Sequence, residues 1–170
     1  VAGSLDPRPV GCVDPLWRWA SRALMFSRKK ALAAFLAPQQ FAVGVRSGVE
    51  AIAHAIDADA LECAETEVAL LVGDVRNAFN SVHRAAMLQA AQEACPGLAL
   101  AMLALYDRPT VYQYHGGGRR EPPEELRTET GCIQGDPLAM ALFCCALRAP
   151  LRWAAEAARA VVGEREAGPW

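Results

Sequence analysis

An α+β domain is what this sequence predicts, on three observations. Helical periodicity with start and stop signals recurs along most of the chain. A short, wholly apolar run, Val68–Val72, reads as a strand covered on both faces. Two alternating segments flanking a glycine-rich stretch read as a hairpin. The length of 170 residues suits one core, and 34 of those residues are alanine. Without the alanines about a third of the chain supplies bulky apolar side chains, an ordinary globular share. Charged residues are 21% and the net charge is −2, which excludes wholesale disorder and a chain-wide basic character. No apolar run reaches the roughly 18 residues of a membrane-spanning helix.

The elements follow in order. Asp14-Pro15 is an N-cap followed by proline at the first helical position. Leu16, Trp19, Ala20, Ala23 and Leu24 then recur at helical spacing, with a break allowed near Ser27 and a stop at Pro38. Ser47-Gly-Val-Glu50 is a capping box and opens a helix with Val49, Ile52, Ala53 and Ile56 on one face. After the Val68–Val72 run and Gly73, helices are expected over about Ser81–Ala94, ended by Pro96, and about Gly97–Tyr106, ended by Pro109. Thr110–His115 and Glu125–Thr130 alternate and make the hairpin, joined by a long Gly- and Pro-containing loop. Asp136-Pro137 repeats the cap-then-proline signature and opens a long Ala-rich helix with a kink or break at Pro150.

Charge is segregated. Residues 1–46 carry seven Lys/Arg against two Asp, and the other 124 carry ten against seventeen acids. A basic N-terminal part is compatible with one nucleic-acid-facing surface, but charge runs are usually solvated faces, and by itself the charge favours that reading. The six cysteines form no C-x-x-C pair, so reduced, mostly buried thiols of an intracellular protein are expected. His54, His83 and His115 lack zinc-site spacing. Tyr112 and Tyr114 share one strand face, where packing is preferred over base stacking. The first residue, Val1, suggests a piece of something longer.

Two strings could carry chemistry. Asp74 follows the apolar run and leads Val75-Arg-Asn-Ala-Phe79-Asn80; an ionised carboxylate is costly to place near a core without a task. Gly131-Cys-Ile-Gln134-Gly135-Asp136-Pro137-Leu138 runs into a helix N-terminus, offering backbone N–H groups and a side-chain amide to a polar ligand. Within it Asp136 reads as a helix cap rather than a metal ligand.

Together these strings resemble the reverse transcriptases, in particular those of non-LTR retrotransposons. The first looks like that family's Asp-x-x-x-Ala-Phe-Asn/Asp motif and the second like its Gln-Gly-Asp-Pro-Leu motif. Pro38–Glu50 looks like the Pro-x-Gln-x-Gly-Val-Gly segment, with Ala42 where the family usually has Gly, and Arg8-Pro9-Val10-Gly11 looks like its Arg-Pro-Ile segment. The resemblance spans about residues 7–151 and implies a partial fingers and palm of a right-hand polymerase, helix-rich, with an incomplete small antiparallel sheet. Residues 1–66 would be a fingers-side segment with two to three helices. Residues 67–170 would be a partial palm with the catalytic strand, the hairpin and the Gln-Gly-Asp-Pro-Leu helix, in one structural unit.

The activity implied is RNA-directed DNA polymerisation by two-metal nucleotidyl transfer, with two Mg2+ ions in a complete enzyme and an RNA template, a DNA primer and deoxynucleoside triphosphates as partners. No membrane partner is expected. Asp74 would be catalytic and bind metal with the Val75 carbonyl. Phe79 would lie under the sugar and exclude a 2′-hydroxyl, Gln134 and Gly135 would line the nucleotide pocket, and Arg8 would face the triphosphate or template. The family's aromatic-x-Asp-Asp hairpin is absent, and no Asp follows Asp136. The chain is therefore expected to be a fragment, inactive alone. The alternatives are a non-catalytic RNA-binding or decayed reverse-transcriptase-like module, and a structural α+β protein in which the motifs are coincidental.

Overall fold

The computed structural model describes residues 10–62, 72–114 and 122–162. It is α+β: six helices and one two-stranded antiparallel sheet among those residues. Residues 68–71 of the apolar run and Arg8 lie outside the described residues, as does the glycine-rich hairpin loop.

Helix α1 spans Pro15–Leu36, and the Asp14 carboxylate accepts from the Leu16 and Trp17 N–H groups at 2.9 and 3.3 Å. The cap therefore satisfies two of the orphan donors that every helix start exposes. The helix runs without a break through Ser27, whose hydroxyl donates back to the Leu24 carbonyl. It ends at Ala37, ahead of Pro38. Its buried face is not the stripe the periodicity singles out. Ser21, Leu32 and Leu36 are buried, whereas Leu16 and Trp19 face outward.

Helix α2 (Gly48–Glu62) starts where the sequence places it, with Ser47 in left-handed backbone at φ 52°. A Cβ at Gly48 would strike the Phe41 backbone, so only glycine fits that start. The expected apolar face of α2 is also left open, and no side chain from Val49 to Leu61 is buried.

The helix expected over about Ser81–Ala94 is α4 (Arg84–Ala94), and a further one-turn helix, α3 (Ala78–Ser81), stands ahead of it, parted from it at Val82-His83. The parting has a partner across the fold, since the Val82 carbonyl accepts from Gly131 N–H at 2.8 Å. Helix α5 spans Pro96–Tyr106, and β1 (Thr110–Tyr114) pairs with β2 (Glu124–Thr128), Tyr112 opposite Leu126. Helix α6 (Ala139–Val162) continues through Pro150 rather than ending there.

The core is the packing of α4, α5 and α6, closed on one side by α1. Met87 and Ala91 of α4 meet Leu98 and Met102 of α5 and Leu142 and Cys145 of α6, with Leu32 and Leu36 completing the layer. Alanine and cysteine at Ala91, Ala99, Ala141 and Cys145 leave little side chain between axes, which lets the helices approach closely. Burial pushes the Cys132 and Cys145 thiols up to about 12, as expected of packed rather than reactive cysteines. Gln40 ties the loop after α1 to this core, donating to Cys144 Sγ at 2.7 Å while its carbonyl accepts from Val43 N–H.

Candidate functional site

The segment that carries Asp74 is not a strand where it is described. Residues 72–75 are irregular, and Val72, read as the last residue of a covered strand, is 80% exposed. Asp74 and Val75 are exposed as well. The chain then turns through Asn77, in left-handed backbone at φ 50°, into the one-turn helix α3. Asparagine tolerates that conformation better than most side chains.

Four hydrogen bonds clamp the second string onto this turn. Cys132 N–H donates to the Phe79 carbonyl at 2.7 Å and Gly131 N–H to the Val82 carbonyl at 2.8 Å. The Thr130 hydroxyl donates to the Asn80 carbonyl, and Arg84 Nε to the Gly131 carbonyl. Gly131 sits at φ 71°, and a Cβ there would fall on the Asn80 backbone, so glycine is required twice over. Gly135, at φ 122°, is held as closely against Gly11, whose N–H donates to the Gln134 carbonyl at 2.8 Å. The described end of the N-terminal segment, Val10–Gly11, is thus a neighbour of Gln134.

The result is a cavity of about 330 Å³ lined by residues 74–80 and Gln134. That volume lies in the range of small-ligand sites. It combines one carboxylate (Asp74), one guanidinium (Arg76), three side-chain amides (Asn77, Asn80, Gln134) and the Phe79 ring. Such a set can hold a cation at one end, hydrogen-bond a polar ligand from several directions and offer it one flat apolar surface. Phe79 is half-buried. Its ring stands 5.2 Å from that of Phe143, so it packs on the core and lines the cavity at once. Gly135 is not in the lining; its place is the contact with Gly11 that positions Gln134.

Two residues that hold the site are not apparent in the sequence. Tyr106 stands behind it: its hydroxyl donates to Asp136 Oδ2 at 2.8 Å and accepts from Ile133 N–H at 3.0 Å, inside the core. Burial and the Asp136 carboxylate push the tyrosine's ionisation far above its ordinary range. Asp136 is buried, and its other oxygen accepts from Leu138 N–H, so it is a helix cap turned inward. Arg84 is the second. Besides Gly131 it donates to the carbonyls of Tyr106, Arg108 and Thr128 and to the Thr110 hydroxyl, and it lies over the Tyr106 ring. Burial lowers its pKa. An arginine opening a helix is a weak signal, and only the convergence of five acceptors reveals its use.

Two-ion chemistry needs carboxylates that converge on ions about 3.5–4 Å apart. Among the described residues no group of three His, Cys, Asp or Glu side chains converges, and Asp74 is the one carboxylate lining the cavity. Those residues do not make a two-ion centre by themselves. No helix among the described residues is long and apolar enough to cross a membrane. No family model, no curated protein and no solved structure matches this chain.

Proposed function

We propose that the chain is part of the polymerase region of an RNA-directed DNA polymerase of the non-LTR retrotransposon type, and that its cavity receives the incoming deoxynucleotide. The observation that supports this reading is convergence. Asp74–Asn80 and Gln134 belong to separate strings of the sequence, each resembling a motif of that family, and they line one cavity. Coincidental motifs carry no requirement to meet.

In this reading Phe79 supports the sugar, Gln134 hydrogen-bonds the nucleotide and Arg76 takes a phosphate oxygen. Asp74 and the Val75 carbonyl are one part of a ligand set for Mg2+, to be completed by further carboxylates. RNA template and DNA primer are the macromolecular partners. The 170-residue chain is expected to show no primer extension with any divalent ion, because Asp74 is the one catalytic carboxylate that the resemblance identifies, and one carboxylate cannot fix two ions.

The test is binding of deoxynucleoside and ribonucleoside triphosphates to the chain in Mg2+, measured by titration calorimetry. Binding is expected to favour the deoxy form, to weaken about tenfold or more in Gln134→Ala, and to lose sugar preference in Phe79→Val. Absence of binding, or binding indifferent to both substitutions, overturns the reading. RNA binding with a steep salt dependence but no nucleotide binding supports the non-catalytic module instead.

A further inference from the structure

The two helices whose apolar stripes face outward carry opposite charge. On α1, Leu16, Trp19, Ala23 and Phe26 succeed one another at three and four residues and so share one face. Leu16 is 79% exposed, Trp19 74% and Phe26 86%. The helix carries Arg18, Arg22, Arg28, Lys29 and Lys30, all exposed, and no acidic residue. On α2, Val49, Ile52, Ala53, Ile56 and Ala60 share a face, with Val49 77% exposed and Ile56 36%. That helix carries Glu50, Asp57, Asp59 and Glu62, and neither Lys nor Arg. None of the main helix contacts that organise the core involves α2.

We infer that these two faces form a reciprocal interface between two copies of this chain, the basic aromatic face of α1 on one copy lying along the acidic apolar face of α2 on the other. Charge complementarity selects this occupant. A nucleic acid or an anionic membrane would satisfy the cations of α1, but it would leave the apolar face of the acidic α2 in water. A second copy covers both stripes and sets the cations of α1 against Glu50 and Asp57 of α2. A two-fold axis uses each face once per chain and therefore buries two helix pairs. That doubling brings two modest contacts toward the roughly 1,200–2,000 Å² of a stable interface. The inference is independent of the function proposed for the cavity, since no residue it uses lines the cavity.

The experiment is sedimentation equilibrium of the full 170-residue chain at low and high salt, with helix content checked by circular dichroism. The expected species is a dimer, twice 18.2 kDa, that weakens as salt rises. Arg22→Glu and Asp57→Lys should each weaken association about tenfold or more by placing like charges opposite each other. An equimolar mixture of the two variants should recover it, because every cross-pair is then complementary. Trp19→Ser should reduce association at unchanged helix content.

A monomer at all concentrations up to about 100 μM overturns the inference, whether α1 binds RNA, binds anionic vesicles or is covered by α2 of its own chain. Open-ended polymers overturn the two-fold arrangement. A dimer in which mixing the charge variants gives no recovery overturns the pairing of α1 with α2.

Discussion

Arg84 is the side chain whose loss can be worked most directly from the structure. Three of its hydrogen bonds are 3.0 Å or shorter, to Gly131 O, Arg108 O and Thr110 Oγ1, and two are 3.3 Å, to Tyr106 O and Thr128 O. Counting about 1 kcal/mol net for each short bond and little for the long ones gives about 3 kcal/mol. The guanidinium over the Tyr106 ring, 5.2 Å from its centroid, adds about 0.5–1 kcal/mol. Against this stands its position as first residue of α4, where a cation opposes the helix dipole at a cost of about 0.3–1 kcal/mol. Arg84→Ala should therefore destabilise the fold by about 3 kcal/mol, a large share of a domain's usual range of roughly 5–15 kcal/mol. Arg84→Lys keeps the charge but replaces a planar fork with one ammonium, and should recover less than half of that loss. Urea unfolding followed by both circular dichroism and tryptophan fluorescence reads the change. Hydrogen exchange should show the hairpin and the Gly131–Gln134 loop losing protection ahead of α5. A loss below about 1 kcal/mol in Arg84→Ala, or full recovery in Arg84→Lys, would refute the claim that the fork joins α4, the hairpin and the site loop.

Tyr106→Phe should cost about 2–4 kcal/mol in urea unfolding, since it leaves the Ile133 N–H and Asp136 Oδ2 without their partner in the core. Gly131→Ala should destabilise the chain and disturb Asn80 as well, visible as a shifted Asn80 amide resonance, because the added Cβ meets the Asn80 backbone at a positive φ. Burial raises the Cys132 and Cys145 thiols from 9.0 to about 12, so the folded chain keeps protons that the unfolded chain gives up. Their contribution to stability should be complete below pH 9.0 and decline as pH rises toward about 12, a fall that urea midpoints at about pH 8 and pH 10 would detect. At about pH 8 a thiol reagent should modify exposed Cys12 ahead of the buried Cys132 and Cys145.

Much of the local structure is legible in the sequence because its causes are local. Asp14-Pro15 starts a helix wherever it stands, since the cap bonds reach only two and three residues ahead. The alternation of Thr110–Tyr114 and its counterpart likewise identifies the hairpin, and Asp136 is the cap its context suggests. The helix expected over about Ser81–Ala94 forms as α4, starting three residues later. The one-turn helix α3 ahead of it is not among the expected elements, and the parting between the two has a non-local partner: the Val82 carbonyl accepts from Gly131 N–H, far along the chain. Of the candidate site residues, Asp74, Val75, Phe79 and Gln134 line one cavity, and Gly135 positions Gln134 from outside it.

By itself the sequence determined where most of the helices start, that one hairpin forms, and which short strings carry unusual polar groups. Those are properties of dihedral preference, capping and periodicity over a few residues. Only the tertiary structure decided that the two strings meet, because the hydrogen bonds from Gly131 and Cys132 to Val82 and Phe79 depend on how α4, α5 and α6 pack. It also decided which faces are buried. Periodicity reports that Leu16, Trp19 and Phe26 share a face, as do Val49, Ile52 and Ile56, but not what lies opposite. Burial requires a partner surface, and in this chain the core offers one to the other side of α1 and leaves the side chains of α2 outside it.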